Sequence, residues 1–161
     1  MEYLMNKDDF IVSKTDLKGN ITYGNIYFIK MSKYSEKELL NAPHNILRHP
    51  DMPKVIFKFL WNQIKNKKSV NAYVKNRTKD DGFYWVFANV STSLDKNGEI
   101  IGYYSVRRKP SEKGVKTITK LYKTLLDIEK RDGVEASEQT LNKTLTDLGV
   151  TYNEFVINLQ K

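Results

Sequence analysis

Three features of the chain predict an α+β fold built on a five-stranded antiparallel sheet with helices across one face. Two tight-turn signals, Lys79-Asp80-Asp81-Gly82 and Asp95-Lys96-Asn97-Gly98, divide residues 69–108 into three strands that must run as an antiparallel meander. A shorter strand pair precedes them, separated by one amphipathic helix that opens at a proline. Beyond Pro110 the apolar spacing turns helical and stays so to the end.

Taken in order, Phe10 to Ser13 and Ile21 to Tyr23 read as short strands, and Asp16-Leu17-Lys18-Gly19-Asn20 between them suits a tight turn, so the chain opens on a hairpin. From Asn25 the period changes, with Ile26, Ile29 and Met31 within helical reach. Ser35-Glu36-Lys37-Glu38 is a capping box leading into Leu39 and Leu40. Three prolines fall within the eleven residues Pro43 to Pro53, which forbids a continuous helix and predicts a stiff, turn-rich segment. Pro53 suits the first position of the next helix, where Val55, Ile56, Phe59, Leu60 and Ile64 form an apolar stripe and Lys54, Lys58, Asn62 and Lys65 face out. Strands at 69–78, 82–94 and 98–108 complete the sheet, and residues 10–110 form the sheet domain. Residues 111–161 form a helical extension, with stripes at Val115/Ile118/Leu121/Tyr122/Leu125/Ile128, Leu141/Leu145/Leu148 and Phe155/Val156/Leu159, punctuated at Gly133 and Gly149.

Composition narrows the function. At 161 residues, 40% hydrophobic and 12% aromatic, the chain can bury one sizeable core, and its aromatics are the first place to look for a ligand cavity. The net charge of +8 favours acidic partners or a phosphate-bearing cofactor. Its lysines are spread over almost every segment, however, which describes a solvated surface better than a nucleic-acid groove. With no cysteine there is no disulfide, thiolate nucleophile or iron–sulfur ligand set. Residues 1–10 lack an apolar signal segment and no stretch approaches the ~18 apolar residues of a membrane span, so a cytoplasmic location without direct membrane insertion is expected.

No catalytic constellation is present: the histidines are His44 and His49, and there is no metalloprotease helix motif, phosphate-binding glycine loop or nucleophile elbow, so the chain is not expected to be an enzyme. The most unusual segment is Arg48-His49-Pro50-Asp51. Two readings fit it: a surface Arg48–Asp51 pair, or a proline-fixed loop in which Arg48 and His49 donate to a pyrophosphate or a polar ring edge. Trp61, Tyr84, Trp85, Phe87, Tyr103 and Tyr104 form an aromatic set of a kind that is more often core or outer-sheet packing than a stacking platform.

Residues 13–109 resemble the PAS domain of bacterial aerotaxis receptors. The resemblance rests on His44-Asn45-x-x-Arg48-His49-Pro50-Asp51-Met52-Pro53, Val74-Lys75-Asn76-Arg77, Tyr84-Trp85-Val86 and Gly102-Tyr103-x-Ser105-Val106-Arg107, in that order. It implies a PAS fold, non-covalent FAD and control of a chemoreceptor signalling module by the oxidation state of the flavin. Residue by residue, it puts Arg48, His49 and Asp51 in the segment the family needs for FAD, Asn25 at the opening of the helical region, and Trp61 on the long helix. It sets Asn76 at the flavin edge, with Ala72 and Val74 on the same face, Tyr84, Val86 and Ala88 inward, Trp85 outward, and Tyr103, Ser105 and Arg107 toward the cavity. An Arg107 near the flavin favours an anionic reduced form. Val70 stands where the family has a tryptophan, and the turn 79–82 departs from the family pattern.

Light sensing through a cysteinyl adduct needs a cysteine, so redox input is expected. Two other readings stay open: a haem-binding gas sensor with His44 or His49 as axial ligand, and a cofactor-free interaction module. The implied partner is a separate membrane-bound chemoreceptor with a HAMP-type signalling region, reached through the outer sheet face carrying Trp85 and Phe87. The C-terminal helices then serve either as docking surface, or as cover for the sheet or a homodimer contact.

Overall fold

A computed structural model describes residues 1–161. Five strands, β1 (Ile11–Thr15), β2 (Ile21–Gly24), β3 (Val70–Arg77), β4 (Phe83–Leu94) and β5 (Ile100–Arg108), form one antiparallel sheet in the order β2-β1-β5-β4-β3. Between β2 and β3 lie α1 (Ile26–Ser32), α2 (Glu36–Leu39), a 3-10 turn at His44–Leu47 and α3 (Lys54–Lys65). After β5 come α4 (Glu112–Asp132), α5 (Val134–Leu148) and α6 (Tyr152–Gln160).

Local chemistry sets these boundaries. The β1–β2 turn closes on Asp16, whose carboxylate accepts from the backbone N–H of Lys18 and of Asn20, each at 2.9 Å, while Gly19 takes a φ of +85°. Ser35 and Glu38 cap α2 reciprocally, as their spacing predicts. Pro53 is the N-cap of α3 and offers no side-chain acceptor. The orphan amides of that helix are met from elsewhere: Glu129 of α4 accepts from Lys54 N–H at 2.9 Å and Val55 N–H at 3.0 Å. A residue 75 positions away thus caps α3.

Strand alternation divides the core into two. Tyr84, Val86 and Ala88 point inward with Ile11, Ile21, Phe28, Met31, Leu39 and Leu47. Tyr73, Trp85 and Phe87 point outward, where α4, α5 and α6 close over them with Ile118, Tyr122, Leu125, Leu141, Tyr152 and Val156. Tyr122 ties the two layers together, donating to the Tyr73 carbonyl at 2.7 Å and sharing a 2.6 Å hydrogen bond with the Tyr152 hydroxyl. The expectation that Trp85 and Phe87 offer an outer face for a partner is therefore corrected: both point outward, but they are only 8% and 9% exposed because the chain's own helices occupy that face. Burying an aromatic or large aliphatic side chain is worth about 2–3 kcal/mol, so three bare aromatics would cost a large part of a domain's stability of about 5–15 kcal/mol.

Candidate cofactor site

A cavity of about 340 Å³ lies between α3, the segment Pro43–Arg48 and the inner face of β1, β5, β4 and β3. It falls within the range of small-molecule sites, about 300–1,000 Å³. Leu47, Leu60, Ile64, Val74, Ala88 and Val90 give it apolar walls. Its rim carries the exposed residues Lys18, Asn45, Arg48, Trp61 and Tyr104.

The polar floor follows from strand register. Ser13 of β1 is paired with Ser105 of β5, and Ala88 of β4 with Arg107, so the period of two directs Ser13, Ser105 and Arg107 to one side. Asn76 arrives from β3, where its backbone also bridges to Arg48. Four buried side-chain atoms find no hydrogen-bond partner in the protein: Asn76 Nδ2, Tyr84 Oη, Ser105 Oγ and Arg107 Nη1. Native structures leave few such atoms, because each unmet group costs about 1–3 kcal/mol, and three of these four belong to residues lining the cavity.

Arg107 is 3% exposed and has no carboxylate partner. Its other terminal nitrogen, Nη2, donates to Ser13 Oγ and, at 2.8 Å, to His44 Nε2, and the guanidinium lies 5.2 Å from the centroid of the Phe28 ring. Burial pulls its pKa down to about 10, which leaves it charged at neutral pH. The His44 ring stacks on Phe28 at 6.0 Å and 9°. Burial first, and the Arg107 charge second, depress its pKa to about 3, so it is a neutral imidazole that accepts at Nε2. Burial also pushes the Tyr84 phenol up to about 12. The cavity lining contains Lys18, Arg48 and Arg107 and no aspartate or glutamate. None of the three is in an ion pair.

Of the residues the sequence singled out, Arg48, Trp61, Asn76, Ser105 and Arg107 line this cavity. The Arg48 guanidinium stacks 3.9 Å from the Phe57 centroid, and Trp61 meets Tyr103 edge-on at 5.2 Å and 88°. Tyr84 and Val86 are buried in the inner core beside it. Three residues lie elsewhere. Asn25 caps α1, its Oδ1 accepting from Phe28 N–H at 3.0 Å and Val12 N–H at 3.1 Å. Asp51 pairs with Lys75 at 2.7 Å, which holds its carboxyl below the usual range. His49 accepts at Nδ1 from the Asp51 N–H at 3.0 Å and packs edge-on against Phe83 at 5.9 Å, with burial lowering its pKa. His49 and Asp51 thus pin the proline-rich loop to β3 and β4 from outside. The alternative of an Arg48–Asp51 ion pair is replaced by Lys75–Asp51. In the sequence, His44 stands out only within the family motif and as a candidate haem ligand, and neither Ser13 nor Lys18 stands out as a site residue. The β1–β5 pairing that sets Ser13 opposite Ser105, and the convergence of Lys18 and His44 on one cavity, need the tertiary structure.

Comparison with known proteins agrees with this architecture. The profile described as the PAS fold matches residues 21–107. The aerotaxis receptor of Escherichia coli (strain K12) is 39% identical over 118 residues, covering 73% of this chain and 23% of the receptor. The nitrogen fixation regulatory protein of Klebsiella pneumoniae is 29% identical over 97 residues, covering 60% of this chain and 20% of that protein. The chain thus spans less than a quarter of the length of either. Among solved structures, a light-oxygen-voltage domain studied with a flavin analogue superposes with a TM-score of 0.60 at 20% identity, covering 69% of this chain and 83% of that one. The light state of the Aureochrome1 LOV photoreceptor gives 0.57 at 23% identity, covering 78% and 92%. No helix here is long and apolar enough to cross a membrane.

Proposed function

The chain belongs to the PAS-fold family, and on that premise we propose that it is a redox sensor that holds FAD in this cavity and passes the oxidation state of the flavin to a separate membrane-bound chemoreceptor of the HAMP type. The observation that carries the reading is the lining itself. Three cations without a carboxylate face a space whose buried floor leaves Asn76 Nδ2, Ser105 Oγ and Arg107 Nη1 unmatched. A heteroaromatic ring bearing carbonyl and imide groups suits that floor, and an anionic tail suits the rim. The cavity has room for a fused ring system and not for a whole dinucleotide, so Lys18, Asn45 and Arg48 on the rim are the residues that would hold the rest.

When bound, the flavin supplies reversible electron uptake, with a change of charge or protonation. Arg107, fixed by Ser13 and His44, presents a permanent positive charge in a dry setting and stabilises added negative charge nearby. Asn76 Nδ2 and Ser105 Oγ, buried and unmatched, would hold the polar edge of the ring. Trp61 and Tyr103 form the wall next to the rim. His49 and Asp51 act through the wall they brace, and Asn25 through α1.

The haem alternative has less support: His44 Nε2 already accepts from a cation, and His49 lies outside the cavity lining. An absorption spectrum of purified protein followed by cofactor extraction tests the reading. Flavin bands and released FAD are expected; a haem spectrum, or protein that stays colourless after incubation with FAD, would overturn it. The signalling step is tested by co-purification with a HAMP-containing receptor in oxidised and reduced states, where equal binding in both refutes redox control.

A further inference from the structure

Resting on the flavin reading above, we propose that Lys18, on the β1–β2 turn, is the residue that selects a dinucleotide flavin, holding the phosphate farther from the ring while Arg48 holds the nearer one. The two cations belong to segments distant in sequence, yet the fold joins those segments into one wall. Gly19 C=O accepts from His44 N–H at 2.9 Å, Ile21 N–H donates to Ala42 C=O at 2.8 Å, and Asn20 bridges to Pro43. Lys18 is thus one residue from this zipper on the hairpin side. Arg48 follows it on the other side, across the single 3-10 turn His44–Leu47.

Their places relative to the floor differ. Arg48 bridges through its backbone to Asn76, one of the unmatched donors, and its guanidinium is immobilised against Phe57, so it stands beside the ring pocket. Lys18 stands on the exposed turn, separated from Arg48 by the 3-10 turn His44–Leu47 and with no side-chain hydrogen bond to the floor. Asp16, the acid nearest Lys18 in sequence, has its carboxylate occupied by the turn amides of Lys18 and Asn20 and by the Asn20 side chain. It lies outside the cavity lining and, although its charge attracts the Lys18 ammonium, forms no ion pair with it. The turn is held by backbone bonds and the Asp16 carboxylate, so the Lys18 side chain is not needed for its geometry.

Fluorescence-quenching titrations of the 161-residue chain with FAD, FMN and riboflavin test the assignment. Lys18→Gln is expected to weaken FAD binding by roughly tenfold, the loss of one charge-assisted contact, while leaving riboflavin unchanged and FMN within about twofold. Arg48→Gln is expected to weaken FAD and FMN together. Lys18→Gln lowering all three ligands alike, or lowering none, refutes the role of Lys18 in a protein that still binds flavin. Failure of the unmodified chain to bind any of the three would instead refute the flavin reading and this inference with it.

Discussion

Gly114 lies in the first turn of α4, under the Ser111 cap, and two physical effects of replacing it by alanine oppose each other. Helix propensity favours alanine by about 1 kcal/mol in a helix interior. Packing opposes it, because a Cβ at this position would lie 2.1 Å from the Tyr73 Oη, 2.5 Å from its Cζ and 2.7 Å from Ser111 Oγ. Tyr73 is fully buried, and its hydroxyl donates to Gln160 at 2.9 Å and contacts Ser111 Oγ at 3.3 Å, so it cannot retreat without breaking the joint between β3, α4 and α6. Overpacking costs about 1–3 kcal/mol and each lost hydrogen bond about 1 kcal/mol, so packing wins and Gly114→Ala loses about 2 kcal/mol net. In a chain of this size that lowers the melting temperature by about 4–8 °C. Urea denaturation followed by tryptophan fluorescence measures it through Trp85, which lies beside Tyr122 beneath the same helix. Adding Tyr73→Phe should recover part of the loss. A Gly114→Ala protein as stable as its parent, or more so, would mean that α4 is not seated on the sheet as described.

Four further outcomes follow from the same contacts. A chain ending at Pro110 bares Tyr73, Trp85 and Phe87 and removes the Glu129 cap, so it should show no cooperative unfolding by circular dichroism; a sharp transition would show that residues 10–110 stand alone. Glu129→Ala, which leaves the α3 amides unmet, should cost about 1–2 kcal/mol in urea, with Glu129→Gln intermediate; equal midpoints would refute the capping role. His44 is protonated with a pKa of 6.5 when unfolded but only near 3 when folded, so its share of stability is complete above pH 6.5 and lost as pH falls toward 3, at up to about 1.4 kcal/mol per pH unit. His44→Gln keeps an acceptor for Arg107 and should flatten that slope relative to the parent, an unchanged slope in urea midpoints from pH 7 to 4 being the contrary result. Ser105→Ala removes an unmatched hydroxyl, so in thermal melts it should be neutral or slightly stabilising without flavin and show a smaller upshift with FAD; destabilisation in the flavin-free protein would mean the hydroxyl is already satisfied.

The fold was legible because its signals are local. Asp-Gly and Asn-Gly turns fix the meander, and the inward placing of Tyr84 and Val86 and outward placing of Trp85 that the resemblance implies agree with the two cores. On the strands, the family resemblance points to Asn76, Ser105 and Arg107, and all three line the cavity. The cavity was not legible in the stiff loop. A proline-rich segment has no period, so nothing in Arg48-His49-Pro50-Asp51 states that Arg48 turns toward the cavity while His49 and Asp51 turn toward Phe83 and Lys75. Asn25 carried a readable alternative signal, an Asn directly before a helix, and capping is what it does.

Covering the outer sheet face has a consequence for any signal leaving the cavity. A partner cannot read Trp85 and Phe87 directly, because α4–α6 cover them. Besides the central strands, one helix touches both the site and that cover. On its cavity side α3 presents Phe57, Leu60, Trp61 and Ile64, and on the other side Val55 and Ile56 join the core shared with α4–α6. Glu129 of α4 holds its first turn, and Lys58 pairs with Glu138 of α5 at 3.0 Å. That surface ion pair contributes little energy, but the cap and the shared core bind α3 to α4 firmly. A shift of α3 with the state of the ligand therefore has to move α4 or break the Glu129 contacts, whereas the sheet, paired along every inner strand, resists bending. The C-terminal helices are cover for the sheet, and through Glu129 and the shared core they are also the surface a movement of α3 would reach first.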